Sequence, residues 1–334
     1  MTLVQHRLQI PPGRGGHRLD QVLAELLPDH SRSRIKQWIL DGHVRLDGAV
    51  PEPRTRVLGG QWAEIGIVEP EPADSAQPEA MALNVVHEDE EVLVIDKPAG
   101  LVVHPGAGNP AGTLQNGLLA YRPALAELPR SGILHRLDKD TSGLLLVAKT
   151  LTAHTRLVRD LEARRITREY RAVCVGTMTG GGVVDEPISR HRSQRTKMAV
   201  EPGGRAAVTH YRVLARFAHH TFIAVRLDTG RTHQIRVHMA HLRHPLVGDP
   251  AYSGRLIIPA GASPRLADTL RAFRRQALHA RRLCFVHPAS GETIELLAPL
   301  PADFRALLAA LSDSDAAVDR LEQLPWPEHQ FHSS

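Results

Sequence analysis

The segment "VEPEPADSAQPEA", residues 68–80, does most to limit how this chain can fold, because it mixes Pro, Ala, Ser and acidic residues with no apolar period. Such a stretch offers neither a helix face nor a strand face to a core, so it reads as a linker between two units. With 334 residues, 42% of them hydrophobic, both units have material for a core. The expected division is a small αβ module over residues 17–67, a linker over 68–82, a large module over 83–311 and an acidic tail over 312–334.

Charge follows the same division. The formal net charge of +5 says little by itself. Counting Lys and Arg against Asp and Glu gives about +3 for residues 1–60, −10 for 61–96, +16 for 97–300, 0 for 301–310 and −4 beyond. Solvated surface could account for one basic unit, but two together fit a polyanion, most simply RNA. No run of about 18 apolar residues is available to span a membrane, and "MTLVQHRLQIPPGRGG" lacks the apolar segment of a secretory signal. Cys174 and Cys284 stand singly in apolar runs without C-x-x-C spacing, which argues against a disulfide framework or a cysteine metal site. A cytoplasmic monomer without a membrane partner is the expectation.

In the small module, Ser31 is placed to cap a helix "RSRIKQWIL" whose Ile35 and Ile39 recur at i, i+4, with Gly42 ending it. Arg32 and Lys36 share one face of that helix, next to Arg34, where they can either contact phosphates or form a solvated surface. The runs "HVRLDG" and "RVLGGQWAEI" read as strands joined by a turn.

In the large module, "EVLVIDKPAGLVVHPG" gives a strand, a turn and a second apolar run, and "REYRAVCVG" gives another strand. Helical spacing of Leu157, Val158 and Leu161 places a helix over 152–164. Ile235, Met239 and Leu242 place a second helix over 233–242, and Ser263-Pro264 opens a third. Strand runs outnumber helices without alternating with them, so the fold class is α+β with a mixed or antiparallel sheet.

Three stretches carry chemistry. "HRLDKDTSG" sets Asp138 and Asp140 between basic residues ahead of the strand "LLLVAK". An isolated loop aspartate usually serves a turn; here Asp140, just before Thr-Ser-Gly, is the better turn-former, which leaves Asp138 to react. In "GRTHQIRVHMAHLRHPLVGDPAY", Thr232 is placed to cap the helix, and Arg236 sits in its first turn, where the dipole disfavours a cation. That cost calls for a carboxylate partner. His233, His238, His241 and His244 lack the H-E-x-x-H pattern, so a metal is not expected. In "TREYRAVCVG", Tyr170 lies between Arg168 and Arg171, where it could equally be a half-buried strand residue.

Residues 17–50 resemble the S4 RNA-binding domain. The resemblance directs Arg32, Arg34 and Lys36 toward RNA. Over residues 17–300 the chain also resembles the RluA-type pseudouridine synthase family, through "HRLDKDTSG", "REY", "GRTHQIRVHM" and "HPLVGDPAY". The resemblance implies Asp138 as the catalytic aspartate, Tyr170 as the tyrosine stacking on the base, Arg236 as the arginine paired with that aspartate and Val247 as an apolar wall under the base. Arg168 departs from the lysine common there.

The implied activity is isomerisation of uridine to pseudouridine in 23S large-subunit rRNA, free or in an assembling subunit, in the stem-loop that meets the small subunit at the decoding centre. A sister branch with an S4 domain acts on other uridines of the same RNA and remains the alternative. No group is transferred and no redox change occurs, so no cofactor is expected, in keeping with the lack of a P-loop or dinucleotide fingerprint. A glycoside hydrolase usually uses two carboxylates, one to activate water, whereas an isomerase can use one and must exclude water. The target would be flipped from its stack, with Arg136 filling the vacated space. Arg231 at the helix entrance, and Arg190, Arg192, Arg195 and Lys197 in "SRHRSQRTKM", would grip the RNA backbone. A non-catalytic RNA-binding protein would explain the charge without needing Asp138, Tyr170 and Arg236 together. "HRLD" has the wrong order for a kinase H-R-D loop, and no D-F-G accompanies it.

Overall fold

All seven residues of the strand Ser142–Ala148 are buried, the pattern of a strand covered on both faces. Around it the computed structural model describes residues 2–27, 32–69, 76–106, 108–194 and 196–327. These divide into two units, 1–75 and 76–334.

The first unit contains β1 (Thr2–Gln9), α1 (Leu19–Leu26), α2 (Arg32–Leu40), β2 (Val44–Leu46) and β3 (Trp62–Glu69). Its sheet runs β1-β3-β2, antiparallel throughout. Ile35 and Ile39 of α2 meet Leu19 and Leu23 of α1 in the core with Val44 and Ile65, as the i, i+4 spacing predicts. Gly42 follows α2 at φ +77°, a conformation suited to glycine. Ser31, the expected cap, lies outside the described residues. The unit begins earlier than residue 17, because β1 supplies the edge strand paired along the whole of β3.

In the second unit the strands are β4 (Val85–Glu88), β5 (Val92–Lys97), β6 (Ser142–Ala148), β7 (Thr167–Val175), β8 (Gly182–Asp185), β9 (Ile188–Arg190), β10 (Met198–Val200), β11 (Val208–Arg216), β12 (His220–Leu227), β13 (Leu278–Val286) and β14 (Thr293–Leu297). The helices are α3 (Leu114–Tyr121), α4 (Leu151–Glu162), α5 (Gln234–His241), α6 (Pro264–Ala272), α7 (Ala302–Ser312) and α8 (Asp315–Glu322). The large sheet runs β4-β5-β6-β13-β7-β12-β11-β8, with β14 paired to β13, and β9-β10 form a separate ribbon. Its pairings are antiparallel except β6 with β13. This is the mixed sheet of an α+β fold.

One apolar cluster joins Leu93, Leu145, Tyr170, Ile235, Met239 and Leu246; another joins Val173, Phe222, Val247, Phe273, Phe304 and Val318. The second cluster corrects the reading of residues 312–334 as a plain acidic tail. Val318 of α8 is 3% exposed, and Glu322 accepts the Leu300 N–H at 2.8 Å. Farther on, Arg226 stacks on Trp326 at 4.1 Å and Arg171 donates to the Leu324 carbonyl at 2.8 Å. One buried apolar side chain, two hydrogen bonds and an aromatic ring hold residues 318–326 in place where charge counting alone sees an acidic tail.

Candidate active site

The site lies where the loop before β6 meets α5. Main chain shapes that loop: the Thr141 N–H donates to the Asp138 carbonyl at 3.0 Å, closing a turn. Asp140 was expected to build this turn through its carboxylate. Instead its carbonyl accepts from Arg275 Nη1 at 3.3 Å. The turn needs only backbone, so both carboxylates are spared.

Beneath the loop, Lys97 at the end of β5 is fully buried. Its Nζ donates to the carbonyls of Pro98, Leu101 and Lys139 at 2.8, 2.8 and 2.9 Å. Burial pulls its pKa down to about 7, opposed by the charges of Asp140 and Asp138. Three carbonyls use all three protons of an ammonium, and through Lys139 they tie β5 to the loop that carries Asp138.

Arg236, in the first turn of α5, has the carboxylate partner its position calls for, and a second one as well. Its Nη1 donates to Asp138 Oδ2 at 3.1 Å. Nε and Nη2 donate to Asp249 at 2.7 and 2.9 Å, a bidentate clamp. Asp249 is fully buried and accepts the N–H groups of Ala251 and Tyr252 at 2.8 and 3.2 Å. Burial alone would lower Arg236; the bonds and charge of Asp249, then those of Asp138, outweigh it and hold the guanidinium protonated. The helix starts differently from expectation. His233, at φ +57°, takes the cap position without a side-chain cap bond, which displaces Thr232 from that role.

Tyr170 on β7 is 4% exposed. Burial raises its hydroxyl pKa, Arg168 opposes and Asp138 adds to the rise, so both charges act on the ring. Arg168 Nε and His135 Nδ1 are buried without a hydrogen-bond partner. Burial, aided by Arg168, drops His135 to about 3. Its Nε2 accepts the Leu146 N–H at 3.1 Å, orienting the loop from within.

Val247 packs with Phe222 and Phe273, whereas Leu246 shares the cluster of Tyr170. The expected RNA contacts vary in freedom. Arg136 and Arg190 are exposed, Arg192 pairs with Glu201 at 2.8 Å and Arg231 donates to the Ala206 carbonyl at 3.1 Å. Lys197 is half-buried, and Arg195 lies outside the described residues. In the first unit Lys36 is exposed and the Arg34 side chain lies outside the described residues, while Arg32 is held by the buried Asp20 at 2.9 Å.

The histidines near α5 have separate partners: His238 meets Thr209 and the Glu186 carbonyl, His244 the Val175 carbonyl and His233 the Tyr252 hydroxyl. No group of three His, Cys, Asp or Glu able to hold a metal occurs among the described residues. No helix among them is long and apolar enough to cross a membrane.

Sequence reasoning missed Lys97, Asp249 and Tyr252. The signals available were a lysine closing an apolar strand run, in "VLVIDKPAG", and an acid between glycine and proline, in "VGDPAY".

Comparison with known proteins agrees with this geometry. Residues 91–241 match the model of the RNA pseudouridylate synthases, and residues 17–62 match the S4 domain. The chain is 54% identical to "Ribosomal large subunit pseudouridine synthase D" of Escherichia coli (strain K12), over 96% of this chain and 99% of that protein. It is 56% identical to the protein of that name from Pasteurella multocida, over 89% and 91%. Among solved structures, human RNA Pseudouridylate Synthase Domain Containing 4 superposes with a TM-score of 0.54 at 28% identity, covering 69% of this chain and 93% of that one. Human RNA Pseudouridylate Synthase Domain Containing 1 gives 0.52 at 26%, covering 78% and 100%. An aspartate loop, an anchored arginine and a buried tyrosine on a mixed sheet thus meet two family matches and full-length relatives, and the chain belongs to the RNA pseudouridylate synthases, a family of isomerases, with an S4 domain at its N-terminal end.

Proposed function

We propose that this chain isomerises uridine to pseudouridine in large-subunit rRNA, at the stem-loop that meets the small subunit at the decoding centre. The observation that carries the reading is the 3.1 Å contact between Asp138 and an Arg236 whose other nitrogens are clamped by a buried carboxylate. An arginine fixed in this way holds the Asp138 carboxylate in one direction, as a nucleophile needs. The names of the full-length relatives support the choice of large-subunit RNA.

In this reading the target uridine leaves its stack and enters the cleft. Tyr170 packs on the uracil, a contact worth about 1–3 kcal/mol. Asp138 attacks, the N-glycosidic bond breaks, the uracil turns, and its C5 bonds to C1′ as the bond to Asp138 breaks and frees the carboxylate. The proton on C5 is then lost to solvent while N1 regains one. Arg136 fills the vacated space, and Arg190, Arg192 and Lys197 hold the backbone.

The test uses purified protein and large-subunit rRNA carrying tritium at uridine C5. Wild type releases tritium, and Asp138→Asn releases none while still binding RNA. Full release by Asp138→Asn would refute the mechanism. Mapping of the modified positions tests the stem-loop, and the sister branch predicts other uridines.

A further inference from the structure

The strands β9 and β10 form a two-stranded ribbon whose base is held by an isolated bridge from Ile188 to Arg205, and a two-stranded ribbon is marginal on its own. Its tip holds Arg192 and Lys197, and a cleft of about 370 Å³ separates it from α5, with Lys197, Val237, His241 and Tyr252 among the lining residues. What ties the ribbon to the second unit includes Tyr252. The Met198 N–H, at the start of β10, donates to the Tyr252 hydroxyl at 2.9 Å, and Met198, Val200, Val237 and Tyr252 pack in one small apolar cluster.

The same tyrosine reaches the catalytic pair. Arg236 lies over its ring at 5.1 Å, its hydroxyl meets His233 Nδ1 at 2.8 Å, and its N–H donates to Asp249, the residue that clamps Arg236. Because the hydroxyl oxygen already accepts from Met198, its proton is free for His233 at the head of α5. One side chain therefore touches the RNA-facing ribbon, the start of the arginine helix and the arginine that meets Asp138.

We propose that Tyr252 is a positioning residue through which contact between RNA and the β9-β10 ribbon aligns Arg236 with Asp138. The proposal rests on the Asp138-dependent isomerisation described above. An RNA bound at the ribbon tip fixes β10, β10 fixes the Tyr252 hydroxyl, and the ring beneath Arg236 then holds the guanidinium in register. The base of the ribbon is fixed through Ile188 and Arg205, while its tip with Arg192 and Lys197 gains a neighbour when RNA binds, and the alignment is completed then.

A mutant cycle tests this, with Tyr252→Phe crossed against the ribbon variant Arg192→Ala/Lys197→Ala. Binding to a large-subunit rRNA fragment and the single-turnover rate of tritium release at saturating enzyme are both measured. Tyr252→Phe keeps the ring, so RNA affinity stays within about 2-fold while the saturating rate drops about 10- to 100-fold, as small misplacements in an active site do. The ribbon variant loses both affinity and rate. In the combined variant the affinity losses are those of the ribbon variant, and the rate falls no further than in Tyr252→Phe alone.

Met198→Pro approaches from the other side. It removes the donated N–H at the first residue of a strand, where proline is tolerated, and the saturating rate falls as in Tyr252→Phe. An unchanged rate in Tyr252→Phe, or rate losses that multiply in the combined variant, overturns the relay while leaving the Asp138 mechanism standing. A wild type that releases no tritium overturns both.

Discussion

Asp249 makes no sequence motif with Asp138, yet it governs how Arg236 meets it. The pair is buried on both sides, 7% exposed at Arg236 and 0% at Asp249. Removing one partner of such a pair leaves the other charge uncompensated, which costs about 3–5 kcal/mol. Asp249→Ala is expected to lose stability on that scale in chemical denaturation, whereas Asp138→Asn, at a partly exposed position, changes it little. The legible part of the site was an arginine at the wrong end of a helix, whose need for a carboxylate Asp138 and Asp249 meet; turn chemistry did not separate Asp138 from Asp140, because the turn closes through backbone. Lys97 and Asp249 were not legible, because a lysine after a strand and an aspartate in a loop have ordinary local uses. Their roles exist only where Lys139 and Arg236 arrive from 42 and 13 residues away.

At the scale of elements, the helices followed their apolar spacing closely: α2 over Arg32–Leu40, α4 over Leu151–Glu162 and α6 behind its Ser263 cap, which accepts the Leu266 N–H at 3.2 Å. The parallel pairing of β6 with β13 could not be read in the same way, since parallel and antiparallel buried strands carry the same apolar runs. That pairing begins at Ser142 with His279 and Gly143 with Ala280, directly after the loop that carries Asp138. Gly143 has φ +112°, and a Cβ there would lie 2.3 Å from the Ala280 carbonyl oxygen and 2.6 Å from its nitrogen. Gly143→Ala is therefore expected to destabilise the second unit by about 2–6 kcal/mol, from backbone strain plus overpacking. Thermal or urea unfolding reads this out, and a variant as stable as wild type would show that the strands part there at no cost.

For the molecule as a whole, burial sets a pH limit. His135, His279 and His220 are held by burial at about 3, 3 and 4, against an ordinary value of 6.5. His279 is bonded on both sides, to Ser142 Oγ at 2.9 Å and to the Ala298 carbonyl at 3.3 Å. A folded pKa below the unfolded one means that, as pH falls through 6.5, the unfolded chain takes up protons that the fold refuses. Each such proton costs about 1.4 kcal/mol per pH unit. Stability is thus fully present above about pH 6.5 and declines toward pH 4, at a combined slope of about 4 kcal/mol per unit from these three. His220→Gln should reduce the slope of unfolding free energy between pH 6 and 5 by about 1.4 kcal/mol per unit; no change in slope would mean that other groups control acid unfolding.

The sequence by itself determined the break into two units near residues 68–80, the helices, most strands and the basic character of both modules, because periodicity, composition and local motifs are properties of neighbouring residues. Only the tertiary structure decided the register of β6 on β13, the burial of Lys97 under the loop that carries Asp138, the docking of α8 and the Asp249 clamp on Arg236. Each of these depends on groups distant in the chain meeting in a low-dielectric interior, where an unpartnered charge or a misplaced Cβ is costly and a local pattern carries no record of which partner will arrive.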